Sequence, residues 1–280
     1  MIKLISKLPL GFLLSFSPLL SFILHRIIGY RKEVVRENLA LAFSNSTLIE
    51  RQKVEKGFYK NLSIIILEIL KMPSLSTHQF SKRCSFEVST QLQEEIKKGK
   101  SFIMMGTHLG NWEYAVYAPT LLLDLPLDTL YQPLNNPFFE KMMHSIRSRF
   151  GMHPMPMQTA FKTIVKNKDN KRVFGFASDQ SPQKSKIQFY HTFFGKETPF
   201  QIGAEKIANR LNLPVMYVCM KRTKKGYYHF KFDLLSSPNN KNKNTKDYPI
   251  MKKYINQIEK DIKANPSDWL WSHKRWKHSL

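Results

Sequence analysis

Residues 101–113 read SFIMMGTHLGNWE and contain, in order, a strand, a turn and the start of a helix. Positions 102–105 form an unbroken apolar run, short enough for a strand and closed by Gly106. Apolar runs without polar alternation belong to sheets covered on both faces, as parallel sheets are. Gly110 permits a tight turn, and Asn111 is a good helix cap, so a helix is predicted to begin at Trp112. His108 then stands at the carboxyl end of the strand, where open α/β sheets place their sites. Glu113 falls in the first helical turn, from which it can fold back toward His108.

A carboxylate against one imidazole nitrogen fixes the tautomer and raises the basicity of the other. Such a pair can take a proton from an attacking hydroxyl. A His followed by an acid at this spacing is common by chance and is often structural. Its place after a buried strand is what singles it out.

The same alternation continues outward. STQLQEEIKKGK (89–100) reads as a capped helix stopped at Gly99. LDTLY (127–131), KRVFGFASD (171–179), LPVMYVCM (213–220) and YYHFKFDLL (227–235) read as strands. Helices are predicted over about 136–150, over 202–212, and in the amphipathic stretch PIMKKYINQIEKDIKAN (249–265). The class is α/β: a mixed, mostly parallel sheet flanked by helices. Toward the N-terminus lies a helical subregion. It has a short helix near 33–43 and a longer one that ends at Pro73. Val54, Phe58, Leu62, Ile65, Ile66 and Ile69 give the longer helix one broad apolar face for core packing.

Residues 8–28, LPLGFLLSFSPLLSFILHRII, are mostly apolar and long enough to span a bilayer. Pro18 and Arg26 favour a tilted or interfacial anchor over a clean span; a buried first helix is the other reading. No small-residue cleavage site follows, since Leu24, His25 and Arg26 stand where one would be. The expected division is an N-terminal membrane anchor at 1–30 and one domain at 31–280.

Composition narrows the class. Of 280 residues 42% are hydrophobic, enough for a sizeable core without disulfides. The two cysteines, Cys84 and Cys219, lie far apart and outside any ligand spacing, so neither a zinc site nor a disulfide scaffold is expected. Nothing else points to a metal or cofactor. Lys plus Arg number 44 against 21 Asp plus Glu, a formal +23, which attracts anions. No RRM-like, KH-like or zinc-finger pattern accompanies the charge, so nucleic acid is not the expected partner. Residues 221–263 carry twelve Lys/Arg against four Asp/Glu, a net +8 that suits either a solvated face or a docking surface for an acidic partner. The tail WLWSHKRWK (269–277) mixes rings with cations and suits equally a membrane interface or a packed core.

Several landmarks in fixed order resemble the bacterial lipid A biosynthesis (lauroyl/myristoyl) acyltransferase family. YRKEVVRENLALAF (30–43) is similar to its early Tyr-Arg…Asn-Leu…Phe stretch, and THLGNWE to its His-x4-Asp/Glu motif. YQPLNNPFFEKMMHSIRSRFG (131–151) resembles its Tyr-Arg-Pro, Asn-Pro and Arg-x-Arg, with Gln132 where the family often has Arg. ASDQSPQ (177–183), FFGKETPFQIGAEKIANRLNLPVMYV (193–218) and the tail complete a match over about 26–278.

The resemblance implies an O-acyltransferase with His108 as general base and Glu113 as its partner. It implies supporting or substrate-binding roles for Arg147, Arg149 and Asp179, with Asn111 beside them in the motif. It implies an acyl carrier protein thioester as donor, with coenzyme A as the other source, and a lipid A precursor as acceptor. It also implies attachment to the bacterial inner membrane with the catalytic domain on the cytoplasmic face. Both cysteines lie outside the landmarks, so direct transfer without an acyl-enzyme is expected. A different hydroxyl lipid as acceptor is the first alternative; a basic membrane or nucleic-acid-binding protein without catalysis is the second.

Overall fold

The computed structural model describes residues 2–131, 133, 136–238 and 247–280. Gln132 and the basic stretch 239–246 lie outside the described residues.

The apolar run at 8–28 does not form one long helix. Helices α1 (Ile2–Lys7), α2 (Leu10–Ser15) and α3 (Ser17–Phe22) are short, and a π-helical turn, Ile23–Ile27, follows. Pro9 caps α2 and Pro18 sits in the first turn of α3. A proline donates no backbone hydrogen bond, so the ladder is interrupted at both places. Among the described residues no helix is long and apolar enough to cross a membrane. The expected N-terminal anchoring helix is corrected to a set of short helices.

These short helices pack on α5 (Leu48–Lys71), which follows α4 (Lys32–Ala42). Leu10 and Leu14 meet Ile64 and Leu67 in a small core of their own. Ser63 donates to the Ser17 carbonyl at 2.9 Å, and the Lys71 ammonium donates to those of Ser6 and Leu8 at 2.7 and 2.9 Å. The His25 imidazole lies 2.8 Å from Glu55 and stacks on Tyr59. The opposite face of these helices, with Phe12, Phe16, Leu19 and Phe22, is exposed. Helix α5 starts as its sequence dictates, with Thr47 and Glu50 exchanging the two hydrogen bonds of a capping box. It ends at Pro73.

After α6 (Thr77–Ser81) the chain enters the sheet. Its elements are β1 (Cys84–Val88), α7 (Thr90–Lys97), β2 (Phe102–Gly106), α8 (Trp112–Ala115), α9 (Ala118–Leu123), β3 (Leu127–Tyr131) and α10 (Pro137–Arg147). Then come β4 (Met152–Pro156), α11 (Ala160–Asn167), β5 (Val173–Ala177), the hairpin β6 (Tyr190–Phe193) and β7 (Lys196–Pro199), and α12 (Gly203–Leu211). The long strands β8 (Val215–Lys224) and β9 (Tyr227–Ser236) precede α13 (Pro249–Ala264).

Seven strands form one sheet in the order β1-β9-β8-β2-β5-β3-β4. Every neighbouring pair is parallel except the β8–β9 hairpin. The sheet is therefore mixed and mostly parallel, with helices on both faces. Its edge strands, β1 and β4, escaped the sequence reading, as did β6 and β7. β4 reads MHPMP, and two prolines argue against a central strand; at an edge, their missing N–H groups cost the ladder nothing.

Strand alternation sorts the interior into two layers. Ile103, Met105, Phe174, Phe176, Val215 and Tyr217 face α12, α13 and the tail tryptophans. Phe102, Met104, Leu127, Val173, Met216 and Val218 face the other way, toward residues of α8, α9 and α10. β8 runs parallel to β2 and continues past its end, so its hairpin tip projects on the side where His108 lies. There the Lys225 ammonium donates to the Ser17 hydroxyl at 3.1 Å, which puts the N-terminal helices at that end of the sheet.

Candidate active site

β2 and β5 are adjacent and parallel, with Gly106 opposite Ala177. Two residues further along each chain stand His108 and Asp179. The register alone therefore brings the imidazole and the carboxylate together. His108 Nδ1 lies 2.7 Å from Asp179 Oδ1. The other carboxylate oxygen accepts from the Thr107 hydroxyl at 2.8 Å, the His108 backbone N–H at 2.9 Å and the Trp269 indole N–H at 2.9 Å. A carboxylate so surrounded stays ionised and fixes the proton on Nδ1. His108 Nε2 is then an acceptor, and the Gln180 carboxamide N–H reaches it at 3.2 Å.

The electrostatics follow from burial and pairing. Burial would raise the Asp179 pKa, but the His108 charge, the two hydrogen bonds from His108 and the Trp269 indole hold it well below the usual carboxylate range. Burial would lower His108; the Asp179 carboxylate and its hydrogen bond, helped by Glu113, leave it raised above its ordinary value. The imidazole is the more exposed of the two, at 20% against 1% for the carboxylate.

Glu113 does not contact the imidazole, contrary to expectation. It sits in the first turn of α8, buried, and pairs with Arg147 at the end of α10. Two parallel bonds hold them, Nε to Oε2 at 2.9 Å and Nη2 to Oε1 at 2.5 Å. The bidentate fit of guanidinium to carboxylate explains why this partner wins, since the imidazole already has Asp179. Glu113 and Arg147 nevertheless line the same cavity as His108. Burial works against the Arg147 charge, and the Glu113 bonds reverse that and raise its pKa.

Asn111 caps α8, accepting from the Tyr114 N–H at 3.2 Å, and its amide donates to Glu68 of α5 at 2.8 Å. The Tyr228 hydroxyl donates to the same Glu68 oxygen at 2.6 Å. Burial pushes the Glu68 pKa up, and Arg222, Tyr228 and Asn111 only partly offset it. Asn111 is thus a support that ties the motif turn to α5. Arg149 lies apart from His108: its guanidinium reaches back to the carbonyls of Met72 and Leu75, the latter at 3.0 Å. Burial pushes both thiols upward, Cys84 to about 12, so neither is a ready nucleophile.

The tail is a buttress. Trp269, Trp271 and Arg275 are fully buried. Leu270 N–H donates to the His108 carbonyl at 3.1 Å, and Gly110 N–H to that of Asp268 at 2.9 Å. Asn38 of α4 holds the tail in turn, donating to the carbonyls of Trp271 and His273, each at 2.7 Å. The first and last sequence landmarks therefore meet in space. The membrane-interface reading of the tail rings gives way to core packing. The sequence does not single out Gln180 or Tyr254, whose hydroxyl donates to the Gly106 carbonyl at 2.7 Å, and it marks Trp269 only as part of the aromatic tail. Gln180 lay inside a quoted landmark, and its adjacency to Asp179 was the one available signal.

Below His108 a cavity of about 190 Å³ extends along the sheet face under α8. Its lining includes His108, Glu113, Arg147, Tyr131, Met104 and Met152.

The family model described as bacterial lipid A biosynthesis acyltransferase matches residues 1–278. The chain is 24% identical over 248 residues to the lipid A biosynthesis palmitoleoyltransferase of Escherichia coli (strain K12), covering 88% of this chain and 79% of that protein. It is 24% identical over the same length, with the same coverage, to the lipid A biosynthesis acyltransferase of Shigella flexneri.

Proposed function

The chain belongs to the bacterial lipid A biosynthesis acyltransferase family, and from that premise we propose that it moves a fatty acyl group from an acyl carrier protein thioester to a hydroxyl of a lipid A precursor, with His108 as the base. The observation that carries this reading is the His108–Asp179 pair, with the imidazole lining the cavity and Nε2 left as the acceptor. The acceptor hydroxyl displaces the Gln180 amide and hands its proton to Nε2. Its oxygen attacks the thioester carbonyl, and Asp179 steadies the imidazolium. The tetrahedral oxyanion then expels the thiolate, which takes the proton back from Nε2. Arg147, held by Glu113, is placed to bind an anionic group or the developing oxyanion.

The acidic carrier fits the formal +23 of the chain. The same proposal sets the protein on the cytoplasmic face of the bacterial inner membrane. The exposed rings of Phe12, Phe16 and Phe22 lie in the lipid, with Lys3, Lys7 and Arg26 near the headgroups. The test is purified enzyme with carrier-protein and coenzyme A thioesters against lipid A precursors and other hydroxyl lipids, read by mass spectrometry. Transfer to the precursor that disappears in His108→Ala supports the proposal. Transfer that survives in that variant refutes the assigned base, and acylation of other lipids alone refutes the acceptor.

A further inference from the structure

A neutral imidazole has one nitrogen that donates and one that accepts. In His108 the acceptor is Nε2, and the Gln180 carboxamide N–H occupies it at 3.2 Å. A lipid hydroxyl or a water molecule can lose its proton to Nε2 only after that amide has moved aside.

The backbone on either side of Gln180 is pinned. Before it, Asp179 is held by Thr107, His108 and Trp269. After it, the Ser181 N–H donates to His273 Nε2 at 3.0 Å, and Pro182 restricts the Ser181 backbone. Asp179, Arg275, His108 and Lys277 face the His273 ring, and burial pushes its pKa down to about 4. The ring is therefore uncharged at neutral pH, and its Nε2 can accept. The tail fixes His273 in turn. Its N–H donates to the Leu270 carbonyl at 3.2 Å, and its carbonyl accepts from the Asn38 amide at 2.7 Å. Gln180 itself is half-buried between buried neighbours, so its side chain can swing toward solvent while the backbone stays.

This arrangement treats two nucleophiles differently. A lipid acceptor brings contacts of its own, and these offset the loss of the amide's hydrogen bond. Water brings none.

We propose that Gln180 shields Nε2 from water, so that the strand-end pair directs the acyl group to the lipid hydroxyl rather than to hydrolysis, and that His273 is the positioning residue that holds Gln180 in place. The proposal rests on the acyl-transfer reading above. In the suppressed reaction, water gives a proton to Nε2 as its oxygen attacks the thioester carbonyl. The C–S bond then breaks, the thiolate takes the proton back from Nε2, and free fatty acid and thiol leave.

The experiment measures thiol and fatty acid released from palmitoyl thioesters of carrier protein and coenzyme A, without any lipid acceptor. The expected result is a rise of about three- to tenfold over the parent in Gln180→Ala, the factor set by one neutral hydrogen bond. His273→Phe keeps a ring but no acceptor and should raise hydrolysis too; His273→Gln keeps an acceptor for the Ser181 N–H and should restore the parental rate. Adding His108→Ala to Gln180→Ala should remove the gain. A merely structural defect lowers hydrolysis and transfer together. Hydrolysis in Gln180→Ala no faster than in the parent overturns the shield, and a parental rate in His273→Phe overturns the positioning role; should that variant fail to fold, His273→Leu takes its place. A second measurement needs no turnover: diethylpyrocarbonate labelling of His108, read by peptide mass spectrometry against the exposed His153. Faster labelling of His108 in Gln180→Ala is expected, and an unchanged rate refutes the shield. A parent that neither transfers nor hydrolyses, yet shows this protection, refutes the reaction and keeps the shield.

Discussion

The strand ends and the helical roof each present a buried acid–base pair to the same cavity, and the two pairs are built differently. Asp179 is gripped by four donors and leaves the far nitrogen of His108 an acceptor, met by the Gln180 amide. Glu113 spends both oxygens on one guanidinium. The first arrangement holds a proton at one stated atom and readies another. The second cancels two charges and fixes a cation in the wall. Sequence spacing joined His108 to Glu113; the parallel register joined it to Asp179.

The sharpest test of this contrast is to disarm the strand-end pair. His108→Ala and Asp179→Asn are each expected to lower kcat by about 10³–10⁴-fold, and the double variant no further, because the two act as one unit. Steady-state kinetics of the three variants checks this; additive losses would mean the pair is not a unit. Glu113→Gln comes next. It leaves the buried Arg147 guanidinium uncompensated, so denaturant unfolding should register a loss of about 3 kcal/mol. Changing both partners, Glu113→Gln with Arg147→Met, should restore part of that stability without restoring full activity.

The pH profile sharpens the contrast further. A base acts only when neutral, and the His108 pKa is raised above 6.5. The acid limb of kcat/KM should therefore lie above 6.5, with activity lost as pH falls through it. In Asp179→Asn the raising influence is gone while burial remains, so the residual activity should have its limb at lower pH. The smallest effect is expected from Trp269→Phe, which removes one of four donors to Asp179. A kcat loss of up to about tenfold, equivalent to roughly 1.4 kcal/mol of a charged hydrogen bond, is the expected reading.

Much of the frame is legible in the sequence. The run 102–105, the cap at Asn111 and the stop near Pro73 act locally, so the elements they define lie where the pattern predicts. What was not legible depends on partners distant in the chain. Asp179 gains its place only from the pairing of β2 with β5. By its sequence Trp269 suits lipid and core equally, and it is the bridge of Leu109 with Trp269 that sets it in the core. At 8–28 composition outweighed Pro9 and Pro18, although the prolines decide the local structure.

The clasp between Asn38 and the tail has a consequence for the order of synthesis. A nascent chain that has emerged as far as Asp179 already carries the imidazole and the carboxylate, just past the ends of adjoining strands. It lacks the indole that completes the carboxylate's shell and the segment that Asn38 grips. Residues near 38 must wait through the making of more than two hundred others before they find their partner. The site is therefore finished last, by a docking step late in translation, and a ribosome stalled short of Trp269 leaves an assembled sheet with an unfinished catalyst.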